Sequence, residues 1–266
     1  MLNITTFLDA NSRRLDKDVF YCPSRGTKYS SRDILSIISE VGRILKSKGI
    51  EKGDRVLIYL NNSPEYLFSL FAIWRIGAVA IPTNRILTSA ELEYMIQDSG
   101  AKLMISDSEA KETAEKLPVD FHIAENFDDL FDICFDIPWN FDDFKDCEVL
   151  AAEESEWDDL CQLQYTSGTT GRQKGSMLTH GNWFTAIHNA CDVLTLKQDD
   201  VYLGIYPMAH VGILWGIAAL RSAALYIMED FFEINEYLQL CREEKVSVLS
   251  GMPPVIHTLT NLEEEK

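Results

Sequence analysis

Along the chain, hydrophobic positions alternate between helical spacing, about 3.6 residues, and short continuous runs. Ile34, Ile37, Ile38, Val41, Ile44 and Leu45 share one helical face. Ser30 and Asp33 stand before them at capping-box spacing, and Gly49 follows as a stop. A β-rich run, Val56–Leu60, comes next, then a helix from Glu65 to about Ile76, opened by Ser63-Pro64 and closed by Gly77. The pattern then predicts a strand over Ala78–Ile81, a helix over Ser89–Asp98 behind Thr88 and Glu91, and a strand over Lys102–Ser106. After an acidic interruption the alternation resumes. Strands are expected at Leu160–Tyr165, Val201–Tyr206, Leu225–Met228 and Val246–Ser250. Helices are expected at Gly181–Leu194, from Ile213, at Ile234–Glu243 and just beginning after Pro253-Pro254. Apolar strands alternating with amphipathic helices imply β-α-β units and mostly parallel sheets flanked by helices, an α/β class.

Composition adds limits. The chain has 266 residues, 46% of them hydrophobic, with 24 Lys and Arg against 42 Asp and Glu, a formal charge of −18. A nucleic-acid binder needs a basic footprint, so that class is excluded as an expectation. Between Glu125 and Asp159 there are fourteen acidic residues and one basic residue, Lys145, so −13 of the −18 is local. This segment, about 125–160, is expected as an acidic surface insertion. Phe127, Phe131 and Phe135 recur every fourth position within it, consistent with a short helix or, less simply, a docking element. Six dispersed cysteines without a C-x-x-C pair argue against metal-thiolate chemistry and point to a reducing, cytoplasmic setting. The longest apolar run, Val211–Leu220, is too short to span a bilayer, so no integral membrane segment is expected.

One segment carries chemistry: Tyr165-Thr-Ser-Gly-Thr-Thr-Gly-Arg-Gln-Lys-Gly175. Glycines let a backbone approach a ligand and aim its N–H groups at an anion. Thr166, Ser167, Thr169 and Thr170 add hydroxyls for phosphate oxygens or a magnesium ion, and Lys174 adds a positive charge. Composition alone also fits a plain Ser/Thr/Gly surface loop. The spacing fails the common P-loop, since Gln173 stands where a second glycine is required, and neither G-x-G-x-x-G nor G-x-S-x-G occurs. A kinase-like phosphotransferase and an α/β-hydrolase are therefore disfavoured, and nothing marks a cysteine as an activated nucleophile.

The run Thr166-Ser-Gly-Thr-Thr-Gly-x-x-Lys174-Gly175, followed by Met177-Leu-Thr-His180-x-Asn182, resembles the signature loop of the adenylate-forming superfamily, which includes acyl-CoA synthetases. Four more segments resemble that family in order: Gly53–Val56, Gly77–Asn84, Pro207–Ile213 with His210, and Val246–Pro254. The resemblance implies the N-terminal portion of the adenylate-forming fold. It further implies ATP-dependent activation of a fatty or aryl carboxylic acid to an acyl-adenylate and then a CoA thioester, with ATP, Mg2+ and coenzyme A as cofactors. Carried onto this sequence, it implies that Thr166, Ser167, Gly168, Thr169, Thr170, Gly171, Lys174 and Gly175 hold phosphates, with Thr166 also near the metal. It implies that Lys174 and His210 lie at the chemistry and that Gly251 lines the acyl or adenine pocket. It implies two subdomains, 50–190 and 1–49 with 195–266. His180 is expected to cap or pack at its helix start rather than act as an acid or base. Departures are Gln173 in place of the family's usual proline, the absence of a glycine in Arg221–Ala224, and the absence of the family's later adenine, ribose and mobile-domain segments. The chain thus corresponds to roughly the first half of such an enzyme. A truncated, non-catalytic nucleotide- or acyl-binding module is the alternative.

Overall fold

A computed structural model describes residues 2–107, 110, 113, 117, 148–166, 173–210, 212–249, 251 and 253–261. Two five-stranded sheets organise them. The chain opens with α1 (Thr6–Arg14), β1 (Asp18–Cys22), β2 (Thr27–Ser30) and α2 (Ser31–Ser47). Then come β3 (Arg55–Tyr59), α3 (Pro64–Arg75), β4 (Val79–Thr83), α4 (Ser89–Ser99) and β5 (Leu103–Ser106). Beyond the acidic segment lie β6 (Leu160–Thr166), β7 (Lys174–Thr179), α5 (His180–Leu194), β8 (Val201–Gly204) and α6 (Ile213–Arg221). The chain closes on β9 (Leu225–Met228), α7 (Ile234–Glu243), β10 (Val248–Leu249) and α8 (Pro253–Thr260).

One sheet has the order β5-β3-β4-β6-β7 and the other β10-β8-β9-β1-β2. In each, the outermost pair is antiparallel (β6 with β7, β1 with β2) and the other pairings are parallel. The expected parallel sheets flanked by helices are therefore present, with an antiparallel edge on each. The N-terminal hairpin joins the sheet formed by the last strands of the chain.

The helix starts follow from the sequence. Ser30 with Asp33 and Thr88 with Glu91 form reciprocal capping boxes, and Ser63 accepts from the Tyr66 N–H ahead of Pro64. Gly100 closes α4 at φ 63°, a left-handed position that favours glycine. Between its charged ends, Glu65 and Arg75, helix α3 is largely apolar, and every residue in it is buried, as expected of a helix enclosed on all sides. Phe68 meets Phe20 and Tyr29 of one sheet, while the Trp74 indole N–H donates to the Cys161 carbonyl of the other at 3.0 Å. One continuous core therefore runs through both sheets.

The charged residues at its two ends are paired: Glu65 binds Arg25, and Arg75, fully buried, binds Asp9 through both carboxylate oxygens at 2.9 and 3.0 Å. The Arg75 Nε also donates to the Leu150 carbonyl at 2.6 Å. The described end of the acidic segment is tied down here. Glu153 N–H donates to the Arg75 carbonyl, and Lys52 pairs with Asp159 at 2.7 Å. The phenylalanine-rich part, with Phe127, Phe131 and Phe135, lies outside the described residues.

Candidate functional site

The carboxyl ends of several strands converge on one cleft of about 360 Å³. Ligands in open α/β sheets characteristically bind beyond strand carboxyl ends. Pro82 and Thr83 end β4 and Asn84, Ile86 and Leu87 follow it; Gln164, Tyr165 and Thr166 end β6; Gln173 precedes β7; Ala209 and His210 follow β8. Met95 of α4 completes an apolar wall. Thr166 and His210 thus come from different sheets and line the same space.

Specific contacts hold these ends in place. Asn62, just after β3, donates to the Tyr206 carbonyl at 3.1 Å and accepts from the Met208 N–H at 2.8 Å, linking the segment after β8 to the other sheet. Gln164, buried, donates to the Ala209 carbonyl at 2.9 Å and accepts from Gln162 at 2.9 Å. The Tyr59 hydroxyl donates to the Leu87 carbonyl at 3.0 Å, fixing the loop after β4. The Tyr165 hydroxyl donates to Asp98 at 2.7 Å; burial, and then this carboxylate, push the phenol well above its ordinary range. Tyr165 is therefore a neutral strut.

The glycine-rich segment differs from its sequence expectation. Lys174 lies inside the expected turn, yet it is the first residue of β7, paired in register with Thr166 across an antiparallel hairpin. β7 is an edge strand with Met177 69% exposed, so it lacks the apolar run that marks the buried strands. Ser167, Gly168, Thr169, Thr170 and Gly171 lie outside the described residues. Thr166 and Lys174 flank the base of that connection; both are exposed, and among the described residues no partner binds the Lys174 ammonium. Gln173 is held through its carbonyl by the Tyr94 hydroxyl at 3.0 Å, while its side-chain oxygen is buried without a partner among the described residues.

Other expected residues fall elsewhere. A Cβ at Gly175 would come within 3.2 Å of the Tyr165 ring, so its smallness serves hairpin packing. Lys174, Gly175 and Gly251 do not line the cleft, and Gly251 packs toward Ile256. His180 opens α5 behind the Thr179 cap and is buried, both ring nitrogens without a partner among the described residues; burial lowers its pKa to about 4. That is the packing role expected of it. Asn62, Gln164 and Tyr94 gave no sequence signal, since single polar residues after or inside strands and helices fit no spacing rule.

The sequence profile of the AMP-binding enzyme family matches residues 7–266. The chain belongs to that family. It is 30% identical over 250 residues to 4-coumarate–CoA ligase 3 of Arabidopsis thaliana, covering 92% of this chain and 45% of that protein. It is 26% identical over 259 residues to crotonobetaine/carnitine–CoA ligase of Escherichia coli, covering 91% and 49%. The chain therefore spans about half the length of the curated relatives it matches. Among solved structures, the inhibitor-bound N-terminal domain of FACL13 from Mycobacterium tuberculosis superposes with TM-score 0.84 at 23% identity, covering 99% of this chain and 66% of that one. ATP-bound MatB from Rhodopseudomonas palustris superposes with TM-score 0.80 at 24% identity, covering 98% and 51%. At these identities the likeness establishes the fold, that of the N-terminal domain of adenylate-forming enzymes.

Proposed function

We propose that the chain is the ATP- and acyl-binding portion of an AMP-forming acyl-CoA synthetase acting on a fatty or aryl acid. The observation that carries this reading is the convergence of Thr166 and His210 on one cleft at the strand carboxyl ends, with the hydroxyl- and glycine-rich connection 167–172 rooted beside it. In the reaction a carboxylate oxygen attacks the α-phosphorus of ATP, the bond to the bridging oxygen breaks, and pyrophosphate leaves. The thiol of coenzyme A then takes the acyl group and AMP leaves.

The donor set suits a polyphosphate. Among the described residues nothing pairs with the Lys174 ammonium, and Thr166 stands directly across the hairpin from it. Together with the Ser167–Gly171 connection they would hold the β- and γ-phosphates and steady the charge that grows on pyrophosphate. Magnesium, when bound, would neutralise part of that charge; it commonly keeps several waters and takes few protein ligands beside phosphates, so the Thr166 hydroxyl is its candidate contact. His210 would border the carboxylate, with Ile86, Leu87 and Met95 receiving the acyl body. The sheet beginning at β3 and the sheet holding β1, β2 and β8–β10 would correspond to subdomains 50–190 and 1–49 with 195–266. Among the described residues no helix is long and apolar enough to cross a membrane; a cytoplasmic place in fatty-acid metabolism is part of this proposal.

Because the chain spans about half of its relatives, a second reading is a non-catalytic module that binds nucleotide or acyl group in the same cleft. Carboxylate-dependent exchange of labelled pyrophosphate into ATP, measured on the protein as its own cells produce it, separates the two. Exchange that needs both the acid and Thr166 supports the enzyme; ATP binding without exchange supports the module; neither binding nor exchange overturns both.

A further inference from the structure

A second cavity lies away from the cleft, between α1, α5 and α6. It measures about 220 Å³ and is lined by Asn3, Ile4, Thr6, Phe7, Ala10, Phe184, Ile187 and Arg221. Its polar atoms are unequally committed. Asn3 donates to the Trp74 and Glu153 carbonyls and accepts from the Thr5 N–H and hydroxyl, while the Thr6 hydroxyl donates to the Asn3 carbonyl at 2.8 Å. Asp9, the acid on α1, is spent on Arg75. Arg221 alone keeps its donors: among the described residues no hydrogen bond or ion pair holds its side chain.

Its guanidinium carbon sits 5.7 Å from the centre of the Phe184 ring, over that ring. A cation over an aromatic face spends no N–H donor on a hydrogen bond, and a guanidinium offers those donors as a fork to a planar, bidentate acceptor such as a carboxylate. Ile4, Phe7 and Ile187 supply apolar wall. Pockets for drug-sized ligands run roughly 300–1,000 Å³, so this one suits a smaller occupant. We infer that the α1–α5–α6 cavity is a binding site for a small monocarboxylate with a short apolar body, its carboxylate on Arg221 and its chain between α1 and α5. The site stands apart from the proposed adenylation cleft, and the inference does not depend on it.

Trp157 reports on the cavity, because its ring packs edge-on against Phe184 at 5.9 Å. Hexanoate is titrated against the whole chain by calorimetry and tryptophan fluorescence, with hexanol and inorganic phosphate as parallel probes. Saturable hexanoate binding is expected, with hexanol and phosphate each weaker. Arg221→Gln should weaken hexanoate binding about tenfold, the loss of a charge-assisted pair, and Arg221→Lys should recover only part of it. Ala10→Phe, at an exposed position on the rim, tests the apolar half without touching the charge; it should weaken hexanoate while leaving the far-ultraviolet circular dichroism and melting temperature unchanged. The site is overturned if hexanol binds as well as hexanoate, if phosphate binds as well, or if neither variant changes the affinity. It is equally overturned if Thr166→Ala abolishes hexanoate binding and Arg221→Gln does not, since the acid would then occupy the cleft.

Discussion

The seam around Arg75 and the carboxyl end of β9 each bury an ionisable side chain, and they treat it in opposite ways. Arg75 is fully buried with its donors on Asp9, the Leu150 carbonyl and the Thr5 hydroxyl. Glu229, just past β9, is 3% exposed, and among the described residues neither carboxylate oxygen has a partner. The first is an ion whose desolvation is offset by pairing; the second avoids that cost by keeping its proton. Burial and then the nearby Glu236, Glu233 and Asp230 carboxylates raise the Glu229 pKa from its ordinary 4.5 to about 8. Satisfied polar groups knit elements together, whereas unsatisfied ones make the fold depend on conditions.

The sharpest way to break this comparison is at the paired end. Asp9→Ala leaves the buried Arg75 guanidinium without its counter-ion. Removing one partner of a buried pair costs about 3–5 kcal/mol, and the lower end is expected because Asp9 remains 24% exposed. Urea unfolding measures it; a loss under about 1 kcal/mol would show that Arg75 is held by the carbonyl and hydroxyl alone.

At the unpaired end the sign reverses. In the native state Glu229 binds its proton more tightly than in the unfolded chain, so its contribution is present below pH 4.5 and is lost as pH rises through about 8. Glu229→Gln, which cannot ionise, should flatten that decline and make the variant more stable than the parent above pH 8, on the order of 2 kcal/mol. His180 acts at the other limit: its pKa is lowered to about 4, so stability falls as pH drops from about 6.5 toward 4. Unfolding curves from pH 5 to 9 that are identical in parent and Glu229→Gln would overturn the buried-acid account.

How far the sequence showed these regions depends on range. Capping boxes, glycine stops and apolar runs are local, and β9 and α7 fall on Leu225–Met228 and Ile234–Glu243 as the pattern predicts. The N-terminal hairpin carries a signal that went unused: Val19, Phe20 and Tyr21 favour strand, and Gly26 takes a left-handed turn before β2. The Arg75 seam joins residues 66 positions apart, and the link from Asn62 to Tyr206 and Met208 spans over 140. No period encodes such contacts. In the cleft, Thr166 and His210 were legible as types in a motif, whereas Gln164, which fixes the backbone beside His210, was not.

Lys174 sharpens the comparison: it stands exposed at the base of the connection beside the cleft, and among the described residues nothing pairs with its ammonium, so the proposed phosphate role can be tested on it alone. Lys174→Ala should weaken ATP binding by about 1.5 kcal/mol, the low end for a hydrogen bond to a charged group. Calorimetric titration giving equal affinity in variant and parent would remove Lys174 from the ground-state phosphate site while leaving the fold assignment intact.

The smallest expected effect on ATP, and the most selective, belongs to His210. Its N–H donates to the Pro207 carbonyl and its own carbonyl accepts from the Ile213 N–H, so the backbone is held, and the exposed residue lines the cleft. His210→Trp enlarges that wall without removing a phosphate donor. Affinity for bulky aryl acids should therefore fall more than affinity for short aliphatic ones, with ATP affinity changed by less than about 0.5 kcal/mol, as for substitutions that touch no paired group. Competition titrations with a graded set of acids measure the selectivity. If ATP affinity drops while the order of acids stays the same, His210 faces the nucleotide, and the acyl body must enter from the Ile86 side, where an 83%-exposed apolar side chain already stands at the cleft's edge.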